Sequence, residues 1–286
     1  MAERIFPDVV RIEAPNPGPL TFRGTNTYVV GTCQQVVIDP GPDSDSHLDA
    51  ILEAAPNITA ILLTHSHIDH SALVPRLKAA TGVPVMAYGD SWSGRENMPD
   101  LGAAFVEGNG TDTTFEPDIC IKDGQTLQFG TTSLTAHWTP GHFPNHLCFA
   151  MGNLLFSGDL VMGWSTSLVS PPEGSVSQFI ASCGAVAALP QHTYLPGHGD
   201  IVTNGPARAL ELATHRQARE QQVLDALTAG PATASDLATA IYTDIDPSLL
   251  PAAARNVLAH LIDLTARDLV APIGVISPNQ IFRKKP

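Results

Sequence analysis

Short apolar runs punctuated by Gly, Pro and Asp set the pattern of the first two hundred residues. Residues 9–12, 28–30, 35–39, 59–63 and 84–87 are rich in Val and Ile and are bounded by turn formers, which predicts strands. Between them, residues 46–55 place Leu48, Ile51 and Leu52 on one helical face behind Asp43 and Ser44, two candidate caps. Residues 72–80 repeat that spacing with Leu73, Val74 and Leu77, and Pro75 falls where a first turn tolerates it. Strand and helix thus alternate over the first ninety residues, the pattern of an α/β protein. Residues 88–117 lose periodicity and predict an irregular excursion that lines a site. A second series of strands follows at 126–129, 133–138, 146–150 and 153–156, with Gly152-Asn153 as a tight turn, and residues 193–195 close it.

The pattern changes after residue 205. Residues 206–229 predict a long helix with Leu210, Val223, Leu224 and Leu227 among its apolar positions. Residues 234–242 and 251–267 predict two more helices, and 269–271 with 281–282 a two-stranded ribbon. Helix, helix, ribbon is a winged-helix outline. The chain therefore divides into a larger domain over 1–205 and a small module over 206–286.

Composition and charge narrow the function. The 286 residues are 43% hydrophobic, enough for an ordinary core. No apolar run reaches membrane-spanning length, and Met1-Ala2-Glu3-Arg4 lacks the look of a signal peptide. Cys33, Cys120, Cys148 and Cys183 are widely spaced, which fits reduced thiols and a cytoplasmic setting. The net charge of −13 lies wholly on residues 1–205, where seven Lys and Arg face twenty Asp and Glu; the module has eight of each. Such acidity repels a phosphate backbone, so nucleic acid is a poor partner and the winged helix reads as a packing module. Arg216 and Arg219 on the long helix read as a solvated face beside Glu220.

Thr64-His65-Ser66-His67-Ile68-Asp69-His70 directly follows the apolar run Ile61-Leu62-Leu63. Three imidazoles and a carboxylate at a strand end are a metal-ligand spacing, and zinc takes these donors. Three more turns each follow an extended run and place Gly beside a candidate ligand: Thr139-Pro140-Gly141-His142, Ser157-Gly158-Asp159 and Pro196-Gly197-His198-Gly199. Together they offer five His and two Asp at four strand ends. His47, His137, His192 and His260 lack that context and read as structural, as do Trp138 and Cys148.

These motifs, in this order, resemble the metallo-β-lactamase superfamily over about residues 8–200. Asn16-Pro17-Gly18-Pro19, Gly24-Thr25-Asn26-Thr27-Tyr28 and Met162-Gly163-Trp164-Ser165, with the C-terminal module, resemble its lactamase-β-2-like branch. The resemblance implies a four-layer αββα sandwich with a small winged-helix-like domain. It also implies two metal sites, one of His65, His67 and His142 and one of Asp69, His70 and His198, bridged by Asp159. Two divalent ions are expected, zinc by default, with iron or manganese compatible with the same donors. Two departures stand out, Phe143 and Asn145 in Thr-Pro-Gly-His142-Phe143-Pro144-Asn145-His146, where the family often has Thr and Gly. His146 reads as a support for the ligands.

The chemistry implied is hydrolysis. Two metals sharing one water lower its pKa toward about 7, and Asp69 orients the resulting nucleophile and shuttles its proton. The expected substrate is a small ester, thioester or related acyl compound. A metal-dependent endoribonuclease and an iron-dependent dioxygenase are the rival readings; a winged-helix regulator is a third.

Overall fold

The computed structural model describes residues 2–96, 110–274 and 279–286. Residues 97–109 of the excursion expected over 88–117 lie outside the described residues. In chain order the first half holds β1 (Ala2–Phe6), β2 (Val9–Glu13), β3 (Asn26–Val30), β4 (Gln35–Ile38), α1 (Asp45–Ala54), β5 (Ile58–Leu62), α2 (Ile68–Ser71), α3 (Val74–Thr81), β6 (Val85–Ala87) and β7 (Ile119–Cys120). The second half holds β8 (Thr126–Phe129), β9 (Thr132–Trp138), β10 (Leu147–Met151), β11 (Leu154–Gly158), α4 (Val176–Ala187), β12 (Thr193–Pro196), α5 (Gly205–Ala226), β13 (Ala232–Thr233), α6 (Ala234–Ile241), α7 (Leu250–Ala266), β14 (Val270–Pro272) and β15 (Ile281–Lys284).

Strands β1 to β7 form one sheet in sequence order, antiparallel up to β4 and parallel from β4 onward. A second sheet runs β12-β11-β10-β9-β8, antiparallel except for the β11–β12 pair. The sheets face each other across a core that includes Tyr28, Ile38, Leu62, Leu147, Phe149 and Phe156. Outside the first sheet, α1 and α3 bury Ile51 and Leu77 against Val37 and Ile61. Outside the second, α4 and α5 bury Phe179, Cys183 and Leu212 against Leu155. The order of layers is therefore helix, sheet, sheet, helix, the expected sandwich. In the C-terminal module, α6 and α7 pack on a sheet of order β13-β15-β14 around Leu237, Leu261 and Phe282.

Several elements differ from the expectation, among them β13, a third strand in a sheet expected as a two-stranded ribbon. β1 and β7 are exposed edge strands whose side chains show little apolar pattern; pairing to β2 and β6 makes them strands. α4 is absent from the sequence expectation, although Val176, Phe179, Cys183 and Val186 recur at helical spacing and Ser175 caps its start by accepting from the Gln178 amide at 3.4 Å. Packing against the sheet and α5 stabilises it more than its Ser- and Gly-containing sequence would. The helix expected over 72–80 is α3, which starts at Val74 with Pro75 in its first turn, whereas the single turn α2 just before it is absent from the sequence expectation. Asp69 and His70 thus sit on the single turn of α2. In α5, Leu210 is exposed, and the buried face is Ala209, Leu212, Ala213, Arg216 and Val223.

α5 belongs to both parts of the molecule. Ala209, Leu212 and Ala213 complete the sandwich core, whereas Val223 enters the core of the C-terminal module.

Candidate metal centre

Every strand that delivers a candidate ligand ends at the same edge of the sandwich. β5 leads into His65 and His67, β9 into the turn holding His142, β11 into Asp159, and β12 into His198. The seven side chains converge. His65 Nε2 lies 2.9 Å and His142 Nε2 3.0 Å from His67 Nδ1. His198 Nε2 is 3.3 Å from His70 Nε2 and 3.2 Å from Asp69 Oδ2. Asp159 stands between the groups: its Oδ2 is 3.3 Å from His198 Nε2 and 3.7 Å from His142 Nε2, and its Oδ1 is 3.6 Å from His70 Nε2. Three donor triads satisfy the spacing of a shared cation: His65, His67 and His142; His65, His70 and Asp159; Asp69, His70 and His198.

The donor set fits a pair of divalent cations. Bonds of about 2.0–2.1 Å to a tetrahedral ion put neighbouring donors about 3.3 Å apart, close to the spacings found here. Asp159 Oδ1 is buried without a hydrogen-bond donor among the described residues, a costly state that a cation relieves.

Most of the imidazoles are also held from behind, which sets ring orientation and tautomer. His142 Nδ1 donates to the Leu168 carbonyl at 2.7 Å and His198 Nδ1 to the Gly24 carbonyl at 3.2 Å. His65 Nδ1 meets Thr64 Oγ1 at 3.0 Å. His70 Nδ1 meets Asp39 Oδ2 at 2.9 Å, while the same carboxylate accepts from the Thr64 amide and hydroxyl, each at 2.7 Å. From sequence, Asp39 reads only as a strand end. The signal that marks the other ligands, an acidic residue in a Pro-Gly turn after an apolar strand, is present there too. Thr25 Oγ1 donates to Asp69 Oδ2 at 3.3 Å and is itself held by Asn16. Asn26 ties the His198 loop, donating to the carbonyls of Pro196 and Gly199.

His146 supports the centre from below. Its Nε2 accepts the Asp159 amide at 3.2 Å and its Nδ1 meets Thr139 Oγ1 at 2.8 Å. Phe143 is fully buried against the rings of His65 and His67. Asn145 accepts from the Ser66 amide and donates to Ser66 Oγ, Gly89 O and Asp90 O, so it fastens the His65–His67 segment. Gly197 is required by crowding: a Cβ there would stand 2.3 Å from Asp159 Oδ1.

Electrostatics splits the cluster in two. Burial, helped by neighbouring rings, drives His65 well below the ordinary imidazole range and His67 down to about 3. Burial opposes charge on His70 and His198 too. There the carboxylates prevail, Asp69 and Asp159 holding His70 well up and Asp159 lifting His198 to about 10. Burial would raise Asp159, but His198 and His70 outweigh it and hold the carboxyl well below its usual range.

The centre forms the floor of a cavity of about 620 Å³. Leu20, Ile68, Met162, Trp164 and Leu168 give it apolar walls, and Arg255 of α7 reaches it from the C-terminal module. Arg216 is not on a solvated helix face, as its sequence context suggests. It is fully buried, donating to Asn256 Oδ1 at 2.9 Å, to Thr166 Oγ1 at 3.0 Å and to the Ser167 carbonyl. Amphipathic spacing places it inward, between α5 and α7. Arg219 instead lies over the Tyr242 ring.

Comparisons with known proteins agree with this fold. The model of the metallo-beta-lactamase superfamily matches residues 20–198, and that of the beta-lactamase associated winged helix domain matches residues 233–275. The lactamase-like protein adaB of Aspergillus niger is 34% identical over 79% of the chain, which spans 65% of that protein's length. The beta-lactamase-like protein 2 homolog of Drosophila melanogaster is 29% identical over 91% of the chain and 89% of its own. An atrochrysone carboxyl ACP thioesterase of Aspergillus chevalieri is 32% identical over 79% of the chain and 67% of its own. A metallo-beta-lactamase family protein of Thermus thermophilus superposes with a TM-score of 0.81 at 23% identity, covering 99% of this chain and 100% of that one. No helix among the described residues is long and apolar enough to cross a membrane. The chain belongs to the metallo-β-lactamase superfamily and carries the associated winged-helix domain.

Proposed function

We propose that this chain is a binuclear metal-dependent hydrolase of small acyl thioesters and related esters. The observation that carries the reading is the two groups of imidazoles joined by Asp159 at the floor of an apolar-walled cavity. His65, His67 and His142 would hold one cation, Asp69, His70 and His198 the other, and Asp159 both. A bound pair of divalent ions supplies an acidified water as nucleophile and positive charge for the oxygen that gains negative charge. Zinc is the first choice for a donor set of nitrogen and oxygen.

The chain's own residues do the rest. Asp69 Oδ2, aligned by Thr25, orients the attacking water and accepts its proton. Leu20, Ile68 and Trp164 exclude bulk water and receive an apolar acyl group. The fungal relative named as an acyl carrier protein thioesterase supports a thioester over a lactam. The two-part division at residue 205 belongs to the same reading, with α5 as the shared wall.

Elemental analysis of the purified protein, then a panel of thioesters, esters, lactones and phosphodiesters, tests the proposal. Two equivalents of zinc and turnover of a thioester are expected. Asp159→Ala should lose tight binding of at least one cation, and a variant that keeps both with full activity refutes the assignment. A relative, TTHA1623 in a di-iron-bound form, is 29% identical with a TM-score of 0.51 over 71% of this chain and 96% of its own. That relative takes iron at two positions, which supports iron as an alternative to zinc in the binuclear site; a single iron with oxygen-dependent turnover would establish the dioxygenase instead.

A further inference from the structure

One wall of the cavity does not come from the sandwich. α7 lays Arg255 along it, half-buried beside Ser170. Arg255 Nε donates to Ser170 Oγ and Nη2 donates to the Pro171 carbonyl at 2.7 Å. Both acceptors are neutral. Arg11, Arg23, Arg76, Arg208 and Arg267 all sit against carboxylates, and Arg255 does not pair with any described one. Glu173 lines the same cavity, but its carboxylate meets Thr111 Oγ1 at 3.3 Å and makes no ion pair with Arg255. The remaining guanidinium edge, Nη1, has no hydrogen bond to a described residue. In a chain of net charge −13, a partly desolvated cation with only neutral partners is conspicuous.

The position of this cation is fixed in advance. The next residue, Asn256, accepts the Val169 amide and Arg216 Nη1, each at 2.9 Å, which locks α7 to the 165–173 wall. A held guanidinium fork suits two-point capture of a carboxylate or phosphate.

We propose that Arg255 binds an oxyanion of the substrate remote from the bond that breaks, so that the C-terminal module takes part in substrate selection. This rests on the acyl-hydrolase reading and narrows it to acyl thioesters carrying a phosphate on the thiol arm or a carboxylate on the acyl chain. Arg255 is a specificity residue and is not assigned to the chemical step.

The test uses the metal-loaded chain and three thioesters of matched acyl length. One joins a neutral acyl group to N-acetylcysteamine. One joins it to phosphopantetheine. One joins an acyl group ending in a carboxylate to N-acetylcysteamine. In Arg255→Met, the ratio of kcat/KM for a charged substrate to the neutral one should fall about tenfold or more, chiefly through KM, as expected on losing a hydrogen bond to a charged group. Arg255→Lys should recover part of it. The charged substrate that suffers identifies the oxyanion. A ratio that stays constant for both charged substrates overturns the proposal.

A second readout is independent of turnover. Quenching of the fluorescence of Trp164, which lines the cavity, by free phosphopantetheine and by glutarate is measured on metal-free protein. Saturable quenching by one of them, weakened in Arg255→Met, upholds the anion site even if none of the thioesters is hydrolysed, an outcome that sinks the acyl-hydrolase reading alone. No saturable quenching by either, or quenching that Arg255→Met leaves unchanged, overturns the anion site. Arg255→Gln keeps an N–H for Ser170 Oγ at the place of Nε while removing the charge, so it stands in should Arg255→Met fail to fold.

Discussion

At the scale of single residues, Asp39 shows how far the centre extends beyond the donors themselves. Its backbone is left-handed, at φ 53°, and its carboxylate spans His70 Nδ1 and both donors of Thr64. One side chain therefore aims a ring of the centre and secures the end of β5. Asp39→Ala should weaken cation binding about 10–100-fold, read by competition with a chelating dye. Unchanged affinity would mean that packing alone orients His70. His260 makes a different prediction. It is fully buried on α7, and neither ring nitrogen has a hydrogen-bond partner among the described residues. Burial, then Arg216 and Arg267, press its pKa down to about 3. The unfolded chain takes up a proton near the ordinary imidazole value and the folded chain does not. Stability is therefore unaffected above that value and falls with pH between about 6.5 and 3, by up to about 1.4 kcal/mol per unit. His260→Leu should remove this part of the acid sensitivity, visible as a flatter difference in urea midpoint from pH 7 to pH 4.

At the scale of elements, α5 and α7 act on the centre without touching it. Arg216 of α5 holds the Ser167 carbonyl, and the Ser167 hydroxyl donates to the Asp159 carbonyl. Asn256 of α7 holds the Val169 amide, and the neighbouring Leu168 carbonyl orients His142. Both helices thus reach a candidate metal donor through one short segment. Arg216→Met should cost about 1–3 kcal/mol in urea unfolding by leaving a buried carbonyl unpaired. It should also lower cation affinity, measured separately with the chelating dye. Loss of stability with intact affinity would restrict Arg216 to a packing role. The unpredicted α4 belongs at this scale too. Its apolar spacing is legible, but short Ser-, Gly- and Cys-containing stretches also suit loops, and contact with α5 decides between them.

At the scale of the whole molecule, the acidity of residues 1–205 bears on the ribonuclease alternative. An acidic surface supplies few cations to neutralise phosphates, so association with RNA should be weak at moderate salt. Metal-loaded protein should leave single-stranded RNA intact under conditions where a thioester is turned over. Efficient RNA cleavage at that salt would reverse the order of the two readings. The neutral charge of the C-terminal module fits its observed place, packed through α5 and α7 against the sandwich.

Most of the strands and helices and the seven candidate donors were legible in the sequence, because each is a local pattern. Apolar runs must be buried, and polar side chains clustered in Gly-rich turns at their ends must share one edge once the strands align. Most of the backing residues were not legible, His146 excepted. Asp39, Asn26 and Asn145 look like ordinary turn residues until the turns meet. Arg216 looks like a solvated helix charge, and Arg255 carries no sequence signal, until α5 and α7 dock. Hydrogen-bond partners dozens to more than a hundred residues apart carry no short-range signal. Tertiary structure alone could bring a cation from the last helix to the wall of a cavity built by the first two hundred residues.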